Sequence, residues 1–257
     1  MARLTRQIPF ILLVLLGAVL LFEYTDLNLW VQDAIYALGG GHWPVDRDEP
    51  VARFLFYDGV KKLYTVFALS LLVLLLGFYK VAWVKRYRRG LVIVCLAVIL
   101  VPLTVDTIKM ESNVPCPSSL QHYGGTFPHV TLLRPWPAGT RPADIQRCYP
   151  AGHASGGFAL MSLFFLFKRR RNRRIALVAA ITTGWVIGIY KMLIGDHFLG
   201  HTMISMLLAW LLILIVARLV RHPVTLPTGS ELSPTPVQVR STQQSSLAAE
   251  LTRLRGR

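Results

Sequence analysis

The chain has 257 residues, 53% of them hydrophobic, a formal net charge of +15 and a mean hydropathy of +0.48. That hydropathy is too high for an ordinary soluble domain. The basic residues sit in short clusters between long apolar runs, so there is no basic face with interleaved aromatics to bind nucleic acid; the charge reads instead as membrane topology and contact with anionic lipid.

The first apolar run, 8–22, follows Arg3 and Arg6 as a signal peptide would. The succeeding Glu23-Tyr24-Thr25-Asp26 offers no small-residue cleavage site, which predicts a retained helix. Asp26 is placed to cap a helix over 27–38, stopped by Gly39-Gly40-Gly41, with Leu27, Val31, Ile35 and Leu38 on one face. Such a helix would lie along the outer membrane interface. Five further runs follow, at 63–83, 91–105, 154–167, 175–190 and 198–216. Several are below the roughly 20 residues that cross about 30 Å of hydrocarbon, but neighbouring uncharged residues extend most of them, and a short helix can end in a protein-lined cavity. The fold this predicts is all-α, a polytopic six-helix transmembrane bundle over residues 1–222. Residues 223–257, rich in Ser, Thr, Pro and Gln, read as a disordered basic cytoplasmic tail, with a weakly amphipathic stretch at 247–254.

Lys85, Arg86, Arg88 and Arg89 separate the second and third runs, Lys168 through Arg174 the fourth and fifth, and Arg218 and Arg221 follow the sixth. The positive-inside bias places these clusters and both termini in the cytoplasm of a bacterial inner membrane. Segments 24–62, 107–153 and 191–201 then lie on the periplasmic side. The proline-rich stretch 107–149 has little periodicity, and Trp136, Phe127 and Tyr123 argue that it forms an ordered outer cap. Cys116 and Cys148 flank it and are either a disulfide or two free thiols, while Cys95 lies in an apolar run and reads as core.

Three pieces with chemistry in them share this outer face. Lys109, placed just past the third helix, is followed by Cys116-Pro117. Pro150-Ala151-Gly152-His153-Ala154-Ser155 opens the fourth helix, and Lys191 leads through Gly195-Asp196-His197 to His201. Pro150 suits a first helical position. Gly152, with the free amides of that helix start, suits a bound phosphate.

The order and spacing resemble the type 2 phosphatidic acid phosphatase (PAP2) family, which carries K-x6-R-P, P-S-G-H and S-R-x5-H-x3-D. Lys109-x6-Cys116-Pro117 matches the first with Cys for Arg, and Pro150-Ala151-Gly152-His153 the second with Ala for Ser. Tyr190-Lys191-x5-His197-x3-His201 matches the third with Tyr, Lys and His for Ser, Arg and Asp. The resemblance spans about residues 60–217 and is nearest to a divergent bacterial branch. It implies a membrane lipid phosphatase or phosphotransferase, with no metal or other cofactor. His197 would attack phosphorus to give a phosphohistidine and His153 would protonate the leaving group. His201 would orient the nucleophile in place of the family's acid, with Asp196 or Glu111 as other sources of a carboxylate. Lys109, Lys191, Gly152 and Ala151 would hold the phosphate. Arg134, Arg141 or Arg147 could supply the guanidinium absent from the first motif, with Arg147 preferred for its closeness to Pro150. Substrates implied are undecaprenyl diphosphate, phosphatidic acid, phosphatidylglycerophosphate or the phosphates of lipid A.

Blander and rival readings attach to the same residues. Lys109 could merely snorkel, Asp196 could cap the sixth helix, and His122 and His129 read as ordinary loop residues. His197 and His201 have a spacing that binds zinc, with His153 as third ligand, which would make a zinc-dependent hydrolase. Ser155 near a histidine suggests an intramembrane serine protease, though the residues around it do not form G-x-S-x-G. From a different class altogether, the chain could be a non-catalytic lipid-binding or envelope assembly protein that kept the fold.

Overall fold

The computed structural model describes residues 2–220 apart from Pro135; the tail, with the helix expected at 247–254, lies outside the described residues. Eight α-helices are found there: α1 (Ala2–Tyr24), α2 (Leu27–Leu38), α3 (Pro50–Arg53), α4 (Gly59–Gly77), α5 (Ala82–Ser112), α6 (Gly152–Ala159), α7 (Arg170–Leu193) and α8 (Leu199–Leu219). A π-turn at Phe54–Asp58 joins α3 to α4. No strand occurs among the described residues, so the fold is all-α.

Among the described residues five stretches are long and apolar enough to cross a membrane: Arg6–Tyr24, Pro50–Gly77, Ala82–Ser112, Arg170–Leu193 and Leu199–Leu219. Their outer faces show why lipid is needed. In α4 only Leu71 is buried, while Leu63, Val66, Leu69, Val73 and Leu76 face outward. Phe10, Leu13, Leu16 and Leu20 of α1 do the same. Apolar surface this continuous is not left to water by a soluble protein.

The fourth apolar run takes another form. It is α6 followed by a 3-10 segment, Leu160–Phe165, together about 24 Å long at the usual rises, short of about 30 Å of hydrocarbon. It is the inner helix of the bundle, packed on α5, α7 and α8 with Ala154, Ser155, Phe158 and Ala159 buried. Small residues permit this: a Cβ on Gly157 would stand 2.7 Å from the Cα of Gly184 in α7.

Helix ends differ from the sequence reading where charged residues were taken as boundaries. Lys85 through Arg89 lie in the first turns of α5 and Arg170 through Arg174 in those of α7, because Lys and Arg are good helix formers that continue a helix beyond its apolar stretch. At its other end α5 runs to Ser112 and stops at Asn113, whose φ of 47° is left-handed. Lys109 therefore sits in the last turn of α5, not beyond it.

α2 has the expected bounds, but Asp26 makes no capping hydrogen bond through its side chain. Of the expected apolar face Leu27, Val31 and Ile35 are half-buried and Leu38 is exposed, while the fully buried residues are the amides Asn28 and Gln32. The loop between α5 and α6 is tied down by specific contacts. Cys116 and Cys148 are joined in a disulfide, Trp136 Nε1 donates to the Asn113 carbonyl, and Tyr123 Oη donates to Asp33 of α2. His122, expected to be an ordinary loop residue, also contacts Asp33, at 2.8 Å.

Candidate active site

α5 and α6 run in opposite directions, with Gly90 of α5 against Leu166 at one end and Lys109 against Gly152 at the other. The basic first turns of α5 and α7 therefore lie at the end opposite the motif residues, which gather where α5 and α7 finish and α6 and α8 begin.

Lys109 Nζ would come within 3.2 Å of a Cβ added at Gly152, so only glycine leaves this space open beside the ammonium. Pro150 is not the first residue of α6. It follows a cis peptide from Tyr149, Ala151 is the extended N-cap, and the helix begins at Gly152. The Ala151 amide donates to the His201 carbonyl at 3.3 Å, tying the start of α6 to the start of α8. The first-turn amides of α6 beyond it lack helical partners by construction and face the same region as Lys109.

His153, in that first turn, lies against the ring of Tyr57 from the π-turn, with centroids 4.5 Å apart. Lys191 Nζ lies over the same Tyr57 ring at 4.6 Å, so one phenol holds both an imidazole and an ammonium. Lys191 is only 4% exposed and pairs with Asp196 at 2.8 Å. Asp196 also pairs with Arg47, whose guanidinium reaches Ser118 Oγ at 3.2 Å. The carboxylate is thus spent on cations; it does not cap α8, whose N-cap is Phe198.

His197 sits on the turn between α7 and α8. The turn is made by Gly195, with φ of +73°, and by the amides of Asp196 and His197, which return to the Lys191 carbonyl at 2.8 and 3.2 Å. A left-handed residue there suits glycine. The His197 ring is buried. Burial first, then the nearby His201, Lys109, His153 and Lys191, hold its pKa well below the ordinary imidazole value. It is neutral at physiological pH, with a ring nitrogen lone pair available. His201, in the first turn of α8, stands edge-on to it with ring centroids 5.8 Å apart. Nδ1 of each ring lacks a hydrogen-bond partner among the described residues.

Arg147 is exposed and its backbone bridges to Val114. The guanidinium joined to the Lys191–Asp196 pair is that of Arg47. Sequence reasoning missed Arg47 and Tyr57, which belong to no motif and meet Asp196 and Lys191 across more than a hundred residues of chain. The structure gives the rival readings little to work with. No group of three His, Cys, Asp or Glu side chains among the described residues is gathered as a metal cage, and Ser155 Oγ donates to the Gly152 carbonyl at 2.6 Å.

A cavity of about 560 Å³ runs from this cluster between α4 and α5. Its wall is apolar at Val60, Tyr64, Ile99, Pro102 and Leu103, and its head is Lys109, Gly152 and His153. Beyond Tyr57 a polar cavity of about 230 Å³ is lined by Arg47, Arg53, Tyr190, Lys191 and Asp196.

In this helical membrane bundle Lys109, His153 and the start of α6 thus meet at the head of a largely apolar cavity, with Lys191 behind Tyr57 and His197 buried beyond the cavity wall, an arrangement whose charge suits an anion and whose wall suits an apolar tail. The family model described as the PAP2 superfamily matches residues 90–223, just over half of the chain, and the chain belongs to that family. The family acts as phosphatases on phosphate esters, often those of lipids. No curated protein and no solved structure matches the chain.

Proposed function

We propose that this protein removes phosphate from a lipid phosphate or diphosphate through a phosphohistidine on His197. The observation that carries this reading is the convergence of Lys109, His153, Lys191 and a neutral His197 at one end of α5–α8. The phosphoryl oxygens are received by Lys109, Lys191 and the first amides of α6, with the lipid tail in the cavity between α4 and α5. A ring nitrogen of His197 attacks phosphorus as the bond to the leaving oxygen breaks; His153, held neutral in the free site by burial and by Lys191 and Lys109, takes a proton from the incoming monoprotonated phosphate and passes it to that oxygen. Water then attacks the phosphohistidine, losing its proton to His153, and inorganic phosphate leaves. His201 fixes the orientation of the nucleophile's ring. The ammonium groups and helix amides neutralise charge developing on the phosphoryl oxygens, which gives the reaction its electrostatic stabilisation without a metal.

The positive-inside pattern supports an inner-membrane protein with cytoplasmic termini and the site at the periplasmic leaflet. Undecaprenyl diphosphate, phosphatidic acid, phosphatidylglycerophosphate and lipid A are the substrates to assay. Phosphate release from this panel, in detergent with excess chelator, tests the reading. Activity should persist under chelation and fall by about a thousandfold or more in His197→Ala and His153→Ala. Activity lost with chelator and restored by zinc favours the metal hydrolase, and release from no substrate favours a binding role.

A further inference from the structure

The turn carrying His197 is fastened from outside along its whole length, and one segment supplies most of the fastenings. Gln32 Nε2 donates to the Met192 carbonyl at 3.0 Å. The Trp43 ring lies against Gly195, where an added Cβ would approach it to 2.6 Å. Arg47 pairs with the Asp196 carboxylate, and Asn28 Oδ1 accepts from the Gly200 amide at 2.8 Å. These four residues fall within 28–47, ahead of the family-matched region at 90–223. The Ser118 amide, on the Gly195 carbonyl at 2.9 Å, adds a contact from the loop between α5 and α6.

Two details mark these contacts as more than packing. The first turn of α8 exposes amides that need an acceptor, yet its N-cap, Phe198, has no side-chain oxygen. Asn28 supplies one from another helix and so caps α8 from a distance. Gln32 is fully buried, but only its nitrogen is satisfied, since Oε1 has no partner among the described residues. An apolar side chain of similar size would be buried there at less cost, so stability gives no reason for an amide. Holding the Met192 carbonyl does.

We infer that residues 28–47 form a clasp that sets the position of His197, with Asn28, Gln32 and Arg47 as positioning residues. This rests on the reading of His197 as the nucleophile, whose approach to phosphorus tolerates little displacement. The clasp belongs to the half of the chain with no catalytic motif, and it acts through the backbone on both sides of the reacting ring.

The test uses full-length protein in detergent with a lipid phosphate that the wild type hydrolyses. Asn28→Leu and Gln32→Met should each lower kcat by about tenfold or more, with KM within about twofold and the protein still folded. Asn28→Asp keeps the accepting oxygen and adds a charge favoured at a helix start, so it should retain wild-type kcat. Hydrogen exchange should quicken over residues 192–200 in the Leu and Met variants and remain unchanged in the other helices. An unchanged kcat in both amide variants overturns the clasp. So does equal damage from Asn28→Asp and Asn28→Leu, or exchange that rises throughout the molecule in step with lost activity. If the wild type releases no phosphate from any lipid, the phosphatase reading fails by itself, and exchange over 192–200 still decides whether the clasp exists.

Discussion

The two halves of this chain contribute to one site in different ways. The stretch from α5 to α8 carries Lys109, His153, Lys191, His197 and His201, four of them in the end turns of closely packed helices and His197 on the turn between α7 and α8. The half before them carries none, yet Tyr57 contacts His153 and Lys191, Arg47 pairs with Asp196, and Asn28 and Gln32 hold the backbone around His197. On the proposed function the difference separates groups that do chemistry from groups that hold them. Chemistry restricts residue type, so it leaves a pattern; support needs only some donor, acceptor or ring at the right place.

Substitutions in the two halves should therefore differ in size. Lys191→Met, in the motif-bearing half, keeps an apolar stem of similar length but removes the buried charge that the proposed function assigns to phosphate. It should lower kcat/KM by about a hundredfold, on the scale of losing one preorganised stabilising group. Steady-state kinetics on the accepted lipid check this, and a loss below about threefold would mean that Lys191 only neutralises Asp196. Tyr57→Leu, in the supporting half, should cost less, about three- to thirtyfold in kcat/KM, the range of one partly desolvated cation–π contact. Tyr57→Phe should remain near wild type, because the contacts to Lys191 and His153 are made by the ring. If Phe were as damaging as Leu, the hydroxyl and not the ring would be the working group, and the supporting half would need redrawing.

How much of this could be read from sequence follows the same division. The apolar runs gave the membrane helices, and Asp26 to Gly41 gave the bounds of α2, because hydropathy and helix punctuation are local properties. The inward face of α2 was not legible. Asn28 and Gln32, two amides one turn apart, were a faint signal, but their partners at Met192 and Gly200 lie more than a hundred residues away. Pro150 looked like a helix start, whereas the tie from the Ala151 amide to the His201 carbonyl moves that start to Gly152. Arg147 is close to Pro150 in sequence, whereas the guanidinium that the fold brings to Asp196 is that of Arg47, which no local pattern marks. The disulfide was one of two open readings for Cys116 and Cys148, and the pairing of Val114 with Arg147 shows what brings the cysteines together.

The central claim is that the imidazole of His197 bonds to phosphorus, and trapping that bond tests it most directly. The protein would be mixed with a lipid phosphate labelled in its phosphoryl group, quenched within the first turnover under alkaline conditions that preserve phosphohistidine, and digested for mass analysis. The account predicts label on His197, appearing and decaying at rates consistent with turnover, and absent from His197→Ala. Turnover with label on another residue, or an active His197→Ala variant, would contradict it.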